Sequence, residues 1–238
     1  MTGGPGGAVR DIGVVIVAAG SGTRASAEPG ELKQFRWVAG KPMLLHSLQA
    51  FQARPDVAMV VCVLPKQAAG DPPPWIFQGD TDRLLVTQGG ATRADSVRNG
   101  LEDLTGDCKF VLIHDAARPL VTPAMIDRVV AEMRKGHGAI AALPVVDTLK
   151  AAGPDGSIMR TVDRAALWRA KTPQGFPREM ILRAHEHGMR TGQSATDDAA
   201  LCEAIGARVV VVQGSERAMK VTDDADFRRV EMLKELDP

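Results

Sequence analysis

Short apolar runs alternate along the chain with amphipathic stretches, and this alternation predicts strands followed by helices. Most of the apolar runs are continuous and rich in β-branched residues, which is typical of strands buried on both faces of a parallel sheet. The predicted strands are 12–18, 57–64, 84–86, 110–113, 139–144 and 208–212. The predicted helices are 43–53, 94–104, 124–135, 197–205 and 225–236. This order favours a layered α/β fold with a mostly parallel sheet.

Residues that favour helix ends stand at several of these boundaries. Thr92 and Thr122 are suited to cap the helices that follow them, and Pro42 and Pro123 are good first-turn residues. Gly206 is suited to end the helix before it. The end signals therefore agree with the boundaries that the apolar pattern predicts.

The segment 146–172 has no clean helical period and interrupts the alternation. It contains Gly-Pro-Asp-Gly at 153–156, a strong turn signal between short mixed runs. We therefore predict a β-hairpin arm over about 146–172 that leaves the main sheet, and such arms often pair with a second subunit. Residues 1–10 are rich in glycine, which predicts a disordered lead-in, and 11–238 are predicted to form one domain.

Composition and charge argue against several classes of protein. The chain has 238 residues, 45% of them hydrophobic, so it can bury a core without disulfide or metal staples. Basic and acidic residues balance at 29 each and aromatic residues make up 4%, which argues against a nucleic-acid binder. The three cysteines have neither disulfide-framework nor zinc spacing, which favours a reducing cytoplasm. No apolar run is long enough to span a membrane, and no secretory signal is evident.

A glycine-containing loop follows the first predicted strand and ends in a cation. Residues 17–24 read Val-Ala-Ala-Gly-Ser-Gly-Thr-Arg, and around Gly20 and Gly22 the backbone can approach a ligand and bind an anion through its N–H groups. The pattern is neither the dinucleotide-binding G-x-G-x-x-G nor a P-loop. The paired cations Arg24 and Lys33 suit a triphosphate. The alternative is a tight strand-exit turn with a solvated arginine.

A second loop, 89–97, joins a strand end to a helix start. It reads Gly-Gly-Ala-Thr-Arg-Ala-Asp-Ser-Val and contains Arg93 and Ser96. Free N–H groups at such a place can bind phosphate or read a base edge. A plain strand-to-helix loop with a capping threonine is the other interpretation.

The third candidate is a carboxylate at the end of an apolar strand. Residues 111–119 read Val-Leu-Ile-His-Asp-Ala-Ala-Arg-Pro, which places Asp115 at the carboxyl end of the strand, where ligands bind in open α/β sheets. Mg²⁺ takes few carboxylates together with phosphate oxygens, so Asp115 is a natural ligand for it. A helix-capping aspartate with an arginine partner is the alternative.

Four further positions are weaker candidates when each is taken alone. Thr148, Arg164 and Thr172 lie in or beside the predicted arm, and Lys220 follows the last predicted strand. Each is more often a surface residue. The histidines form no metal site, and no Ser-His-Asp arrangement is evident.

With these loops identified, the chain resembles the 2-C-methyl-D-erythritol 4-phosphate cytidylyltransferases of the non-mevalonate isoprenoid pathway, from about Ile12 to Leu236. Many nucleotidyltransferases share the first loop, whereas the ordered set of motifs is more specific. The motifs are 18–24, Lys-Gln-Phe at 33–35, Gly-Gly-x-x-Arg-x-x-Ser-Val at 89–97, His-Asp-Ala-Ala-Arg-Pro at 114–119, Asp-Thr at 147–148, Thr-Val-Asp-Arg at 161–164, Leu-Trp at 167–168, Thr-Pro-Gln at 172–174, Thr-Asp-Asp-Ala at 196–199 and Lys-Val-Thr at 220–222. Leu32 and Ala218 stand where the family often has Pro and Asn.

The resemblance implies a Rossmann-like nucleotidyltransferase fold, a three-layer sandwich with a protruding β-hairpin arm, and a homodimer. It implies transfer of a cytidylyl group from CTP to 2-C-methyl-D-erythritol 4-phosphate, with Mg²⁺ and release of pyrophosphate. Arg24 and Lys33 would stabilise the triphosphate and the transition state. The implied nucleotide site comprises Ala18, Ala19, Gly20, Gly22, Gly90, Arg93 and Ser96. The implied sugar-phosphate and metal site comprises Asp115, Arg118, Thr148, Thr172 and Lys220, with Arg164 from the neighbouring subunit.

Three other functions stay open at this point. The nearest is a cytidylyltransferase for another alditol phosphate such as ribitol 5-phosphate, and the Thr-Val-Asp-Arg motif followed by Leu-Trp argues against it. A non-catalytic nucleotide-binding regulator would bind CTP without releasing pyrophosphate. An NAD-linked oxidoreductase is disfavoured because no acidic residue clearly follows the second strand for the ribose.

Overall fold

The structure is a computed structural model and describes residues 9–20, 32–193 and 195–236. The predicted lead-in over 1–10 lies outside the described residues except for Val9 and Arg10. The strands are β1 (Ile12–Val17), β2 (Trp37–Val38), β3 (Lys41–Pro42), β4 (Val57–Leu64), β5 (Leu84–Gln88), β6 (Phe110–Asp115), β7 (Gly138–Pro144), β8 (Leu149–Ala152), β9 (Ile158–Val162), β10 (Trp168–Pro177) and β11 (Val209–Gln213). The α-helices are α1 (Met43–Gln52), α2 (Lys66–Gly70), α3 (Arg93–Glu102), α4 (Pro123–Met133), α5 (Arg178–Thr191), α6 (Asp198–Ala204) and α7 (Asp224–Glu235).

The central sheet contains seven strands of the described chain in the order β11-β7-β10-β6-β1-β4-β5. β1 pairs in parallel with β4 and β6, β4 with β5, and β7 with β11, whereas β10 is antiparallel to both of its neighbours. The predicted mostly parallel sheet is therefore confirmed. Val17 pairs with Asp115, so the loops after β1 and β6 leave the sheet side by side at the same edge.

Alternate side chains of the strands enter two cores, one on each face of the sheet. In β1, Val14 and Ile16 belong to one core and Val15 belongs to the other. Helices α1, α2 and α4 contribute to the first core, and α3, α5 and α6 contribute to the second. This arrangement confirms the three-layer sandwich. No helix in the described part of the chain combines the length and the apolar character needed to cross a membrane.

Helix α7 packs on a smaller third core next to the site. Phe227 and Val230 of α7 are buried there with Val38, Leu120 and Val221. The N–H of Val221 donates to the carbonyl of Ala117 at 2.8 Å. This packing fixes the segment that carries Lys220 against the loop that follows β6.

The predicted arm is a two-stranded antiparallel sheet, formed by β8 and β9. Its turn closes with the N–H of Gly153 donating to the carbonyl of Ser157 at 2.9 Å, and Gly156 takes a φ of 81°, which favours glycine. The hairpin is therefore confirmed, but the boundary at 172 is wrong. Trp168 pairs with Pro144 of β7, so residues 168–172 belong to the central sheet.

The apolar pattern did not predict β10 as a sheet strand, and it missed α5. β10 combines a lysine, two prolines and a glycine with few large apolar residues, so it lacks the composition of a buried strand. The buried face of α5 consists of Ile181, Ala184, His185 and Gly188. Only one of these is a large apolar residue, so α5 offers little of the apolar content that the alternation of apolar runs follows.

Candidate active site

A cavity of about 500 Å³ lies beyond the carboxyl ends of β1 and β6. The three predicted loops and Lys220 meet around it, as expected for ligand sites in open α/β sheets. The sequence-predicted residues in its lining are Ala18, Ala19, Gly20, Lys33, Gly90, Arg93, Ser96, Asp115 and Lys220. The structure therefore brings most of the predicted site residues together, although Arg24 and Gly22 lie outside the described residues.

The loop before α3 forms one wall of the cavity, and its two glycines allow close packing. A Cβ atom on Gly89 would lie 2.3 Å from the Cβ of Ala19, and one on Gly90 would lie 2.3 Å from the Cβ of Asp95. The hydroxyl of Ser96 accepts from the N–H of Gly90 at 3.1 Å and donates to the carbonyl of Thr92 at 2.9 Å. Ser96 lines the cavity, and its two hydrogen bonds also fix the shape of the loop.

Asp115 is a buried carboxylate between two cations. Its Oδ1 accepts from Nε of Arg93 at 3.1 Å, and its Oδ2 accepts from Nζ of Lys220 at 2.9 Å. Burial alone raises the pKa of the Asp115 carboxyl, but the charges of Arg93, Lys220 and Arg118 outweigh it and hold that pKa well below its usual range. Asp115 is therefore ionised at neutral pH.

Arg93 links this carboxylate to a second buried one, Asp198. Nη1 of Arg93 donates to Oδ2 of Asp198 at 2.8 Å, and Nε2 of His185 lies 3.1 Å from Oδ1 of Asp198. Burial disfavours the charged guanidinium, but the charges of Asp198 and Asp115 raise the pKa of Arg93 overall. The sequence analysis assigned no role to Asp198 or His185, although Asp198 belongs to the Thr-Asp-Asp-Ala motif.

Gln174 fixes the position of the start of α6, which carries Asp198. Its Oε1 accepts from the N–H groups of Asp198 and Ala199 at the start of α6, each at 3.1 Å. Its Nε2 donates to Oδ2 of Asp197 at 2.8 Å. β10 therefore positions α6, and α6 in turn positions the partner of Arg93.

Thr172 anchors the end of β6 through a chain of buried hydrogen bonds. The N–H of Asp115 donates to the hydroxyl of Thr172 at 3.0 Å, and that hydroxyl lies 3.1 Å from Nδ1 of His114. Nε2 of His114 lies 3.1 Å from the carbonyl of Arg118, which can only accept, so Nε2 carries the hydrogen. Burial lowers the pKa of His114 to about 4, so the ring is neutral and its Nδ1 accepts from Thr172.

Lys33 and Gln34 lie on a short 3₁₀ helix at another wall of the cavity. Nζ of Lys33 donates to the carbonyl of Val221 at 2.8 Å. Nε2 of the buried Gln34 donates to the carbonyl of Ala18 at 2.7 Å, which ties this segment to the first loop. Lys33 is therefore placed beside the loop that follows β1.

Arg118, Thr148 and Arg164 do not line the cavity of this chain. Arg118 donates from Nη1 to the carbonyl of Ala218 at 2.9 Å. Thr148 and Arg164 are exposed at the base of the arm, just before β8 and just after β9, and Nη1 of Arg164 donates there to the carbonyl of Val146. Within the described residues, no cluster of three or more His, Cys, Asp or Glu side chains could hold a metal ion.

Comparison with known proteins identifies close relatives. The sequence model of the IspD family, 2-C-methyl-D-erythritol 4-phosphate cytidylyltransferase, matches residues 12–235. The Rhodospirillum rubrum bifunctional enzyme IspD/IspF is 47% identical over 224 residues, which cover 93% of this chain and 56% of the relative. The 2-C-methyl-D-erythritol 4-phosphate cytidylyltransferase of Cereibacter sphaeroides is 43% identical over 92% of this chain and 95% of its own length. A Thermus thermophilus crystal structure with the same description superposes with a TM-score of 0.79 at 34% identity, covering 94% of this chain and 99% of its own.

Replacing Thr172 with valine tests the anchoring of β6. Thr172→Val keeps the shape of the side chain but leaves the N–H of Asp115 and Nδ1 of His114 buried without partners. We expect the free energy of unfolding to fall by about 1–3 kcal/mol, measured by urea denaturation.

Thr87→Val is the matched control. Thr87 is a half-buried residue of β5 whose hydroxyl makes no hydrogen bond to the described residues. Its replacement should change the free energy of unfolding by less than about 0.5 kcal/mol. Equal effects of the two substitutions would contradict an anchoring role for Thr172.

Proposed function

The chain belongs to the 2-C-methyl-D-erythritol 4-phosphate cytidylyltransferase family, and we propose how its described residues carry out that reaction. CTP and 2-C-methyl-D-erythritol 4-phosphate give the CDP-linked methylerythritol and pyrophosphate, a step of isoprenoid synthesis. The observation that best supports this function is the convergence of two glycine-containing loops, Lys33, Lys220 and Asp115 on one cavity.

The nucleophile of this reaction needs little activation. A phosphate monoester has a second pKa near 6, so it is largely dianionic at neutral pH. Asp115 is ionised but already accepts from two cations, and His114 is buried as a neutral ring outside the lining of the cavity. The described site therefore offers positioning and charge neutralisation, which are the needs of a reaction between two anions.

We assign the triphosphate to the side of the cavity formed by Ala18–Gly20 and Lys33. Lys33 neutralises charge that develops on the leaving pyrophosphate, together with Arg24, which lies outside the described residues. The loop from Gly89 to Ser96 receives the cytidine, because its glycines let a flat base approach the backbone closely. Lys220 and Asp115 then face the reacting phosphates.

Mg²⁺ is the proposed metal, and Asp115 is its proposed protein ligand. Asp115 is the carboxylate that lines the cavity among the described residues. A carboxylate has about four acceptor positions, and Arg93 and Lys220 occupy two of them. Mg²⁺ commonly binds through one or two carboxylates and substrate phosphates, so this donor set fits an ion that enters with the nucleotide. When bound, the ion would neutralise part of the triphosphate charge.

The proposed homodimer places the arm of one chain at the site of the other. The arm exposes apolar side chains, among them Val146 at 65%, Ile158 at 67% and Met159 at 72%. Exposed large apolar side chains gathered in one short segment favour an interface. Arg164 and Thr148 lie on this arm and not in the cavity of their own chain, which supports their use by a partner.

The proposed location is the cytoplasm. All three cysteines are buried and free, and burial raises the pKa of the Cys62 and Cys202 thiols to about 12. Unpaired, unreactive thiols are typical of proteins from a reducing compartment.

The first test of this function is pyrophosphate release from CTP with a panel of polyol phosphates. We expect turnover with 2-C-methyl-D-erythritol 4-phosphate and much less with ribitol 5-phosphate. Lys33→Met should lower kcat by about 10²–10³-fold, the scale of losing one preorganised charge. Lys135→Met, an exposed cation on the opposite edge of the sheet, is the control and should leave kcat unchanged. CTP binding without turnover would instead favour a regulator.

The role of Asp115 toward the metal is tested separately. Asp115→Asn keeps the shape of the side chain and removes its charge, so the site attracts Mg²⁺ less strongly. We expect the Mg²⁺ concentration for half-maximal rate to rise severalfold, measured by titrating Mg²⁺ at saturating CTP. A normal rate with an unchanged Mg²⁺ dependence would reject the assignment.

Subunit mixing tests whether Arg164 acts across the dimer. Inactive Arg164→Ala and inactive Lys33→Ala chains are mixed and allowed to exchange. In a mixed dimer, the Arg164→Ala chain keeps Lys33 and receives an intact Arg164, so one of its two sites is whole. Random exchange makes about half of the dimers mixed, so activity should recover to about a quarter of wild type. No recovery, with exchange verified by mass spectrometry, means that Arg164 acts within its own chain.

A further inference from the structure

A second cavity, of about 490 Å³, is lined by residues of α1, α7 and the turn that follows β6. It is separate from the active-site cavity, because the two linings share no residue. The charged residues of its lining are all cations, namely Lys41, Arg217 and Lys234, and no carboxylate lines it within the described part of the chain. We call it the basic cavity.

The fold brings two lysines of this cavity close to each other. Lys41 lies on β3, directly after a tight turn in which Ala39 and Gly40 take positive φ angles of 47° and 82°. Lys234 lies in the last turn of α7. Burial and the charge of Lys234 both lower the pKa of Lys41, so the two ammonium groups repel each other. Lys41 donates to the amide oxygen of Gln49, and neither lysine forms an ion pair with the described residues.

His46 is a buried ring in the same lining, with one nitrogen left for a ligand. The residue is only 7% exposed. Its Nε2 lies 2.8 Å from the carbonyl of Val38, which can only accept, so Nε2 carries the hydrogen. Burial, and after it the charges of Lys41 and Lys234, outweigh that hydrogen bond and lower the pKa of His46. Its Nδ1 makes no hydrogen bond with the described residues and keeps contact with solvent. An anion in the cavity would favour the protonated ring, whose Nδ1 then donates.

Helix α4 begins at the basic cavity and adds to its positive character. Thr122 caps this helix of 11 residues, Pro123 is its first residue, and both line the cavity. The N-terminus of a helix carries partial positive charge and favours an anion. Side-chain charge, the buried histidine and the helix end therefore all favour the same kind of ligand.

We propose that the basic cavity is a second anion site, which binds a diphosphate group between Lys41 and Lys234. Such a group offers several strong acceptors, and hydrogen bonds between charged partners are about twice as strong as neutral ones. It also offsets the repulsion between the two ammonium groups, which a neutral ligand cannot do. The group can come from free pyrophosphate or from the polyphosphate chain of a nucleotide, since both present the same chemistry. This inference does not depend on the reaction proposed for the other cavity.

Calorimetric titration with pyrophosphate counts the sites. The proposed reaction releases pyrophosphate, so we expect one binding event in the active-site cavity and another in the basic cavity of each wild-type chain. Lys41→Met combined with Lys234→Met should weaken the second event at least about 10-fold, the scale of one lost hydrogen bond to a charged group. Lys66→Met combined with Lys135→Met removes two exposed charges elsewhere and is the matched control, in which both events should persist.

Lys234→Glu provides a second variant, which keeps the experiment decisive if the double variant does not fold. It places a carboxylate near Lys41, so the lysine is neutralised from within the chain and the anion is repelled. The second event should again be lost. Titration in excess CTP then identifies the source of the diphosphate group. An event that depends on Lys41 and persists in CTP assigns the site to free pyrophosphate, and one that CTP displaces assigns it to a nucleotide.

Two results would overturn the inference. One is pyrophosphate binding that is the same in wild type and in the variants of Lys41 and Lys234. The other is an event that depends on Lys41 but has equal affinity for sulfate, a compact dianion that cannot bridge the two lysines, because this would show only general attraction of anions. Lys33→Met should remove the event in the active-site cavity alone. Failure of that result would count against the proposed function and leave the second site standing, so the two failures are distinguishable.

Discussion

The buried carboxylate of Asp115 organises the cations of the site. Its two oxygens take Arg93 and Lys220, which come from distant parts of the chain. A carboxylate buried this deeply would cost several kcal/mol without partners, so the loops that carry those partners are held near it. The same ion pairs keep Asp115 charged, and the charged carboxylate keeps the two cations in place.

The supports of this ion network come from both sides of the sheet. On one side, Gln174 and the N-terminus of α6 hold Asp198, which fixes the far end of Arg93. On the other, α7 and its small core hold the segment that presents Lys220. Because the antiparallel β10 carries both Gln174 and Thr172, one strand determines the position of Arg93 and of Asp115 together. The order of the strands in the sheet therefore determines the geometry of the site more than any single loop does.

This dependence explains which features the sequence could predict. The continuous apolar runs of β1, β4 and β6 identify buried parallel strands, and the loops at their carboxyl ends converge by geometry alone. The roles of Thr172 and Asp198 could not be derived in this way, since they depend on β10 and α6 packing at one edge. β10 carries polar and bulged residues where a strand pattern needs apolar ones, so the apolar periodicity of the sequence does not predict a strand there. Its Thr-Pro-Gln motif marked the segment, but the motif alone does not show that Thr172 donates inward to His114.

The cations of the site differ in how completely their charges are matched. Arg93 meets two carboxylates and Lys220 meets one, so these cations are largely neutralised before substrate arrives. Arg118 has no such carboxylate at hydrogen-bonding distance among the described residues, and its buried Nε has no hydrogen-bond partner there. A site that binds two polyanions cannot neutralise all of its own cations, because nothing would remain to attract the second substrate. Arg118, whose N–H donates to the carbonyl of Asp115, therefore keeps a positive charge that an anionic ligand can match.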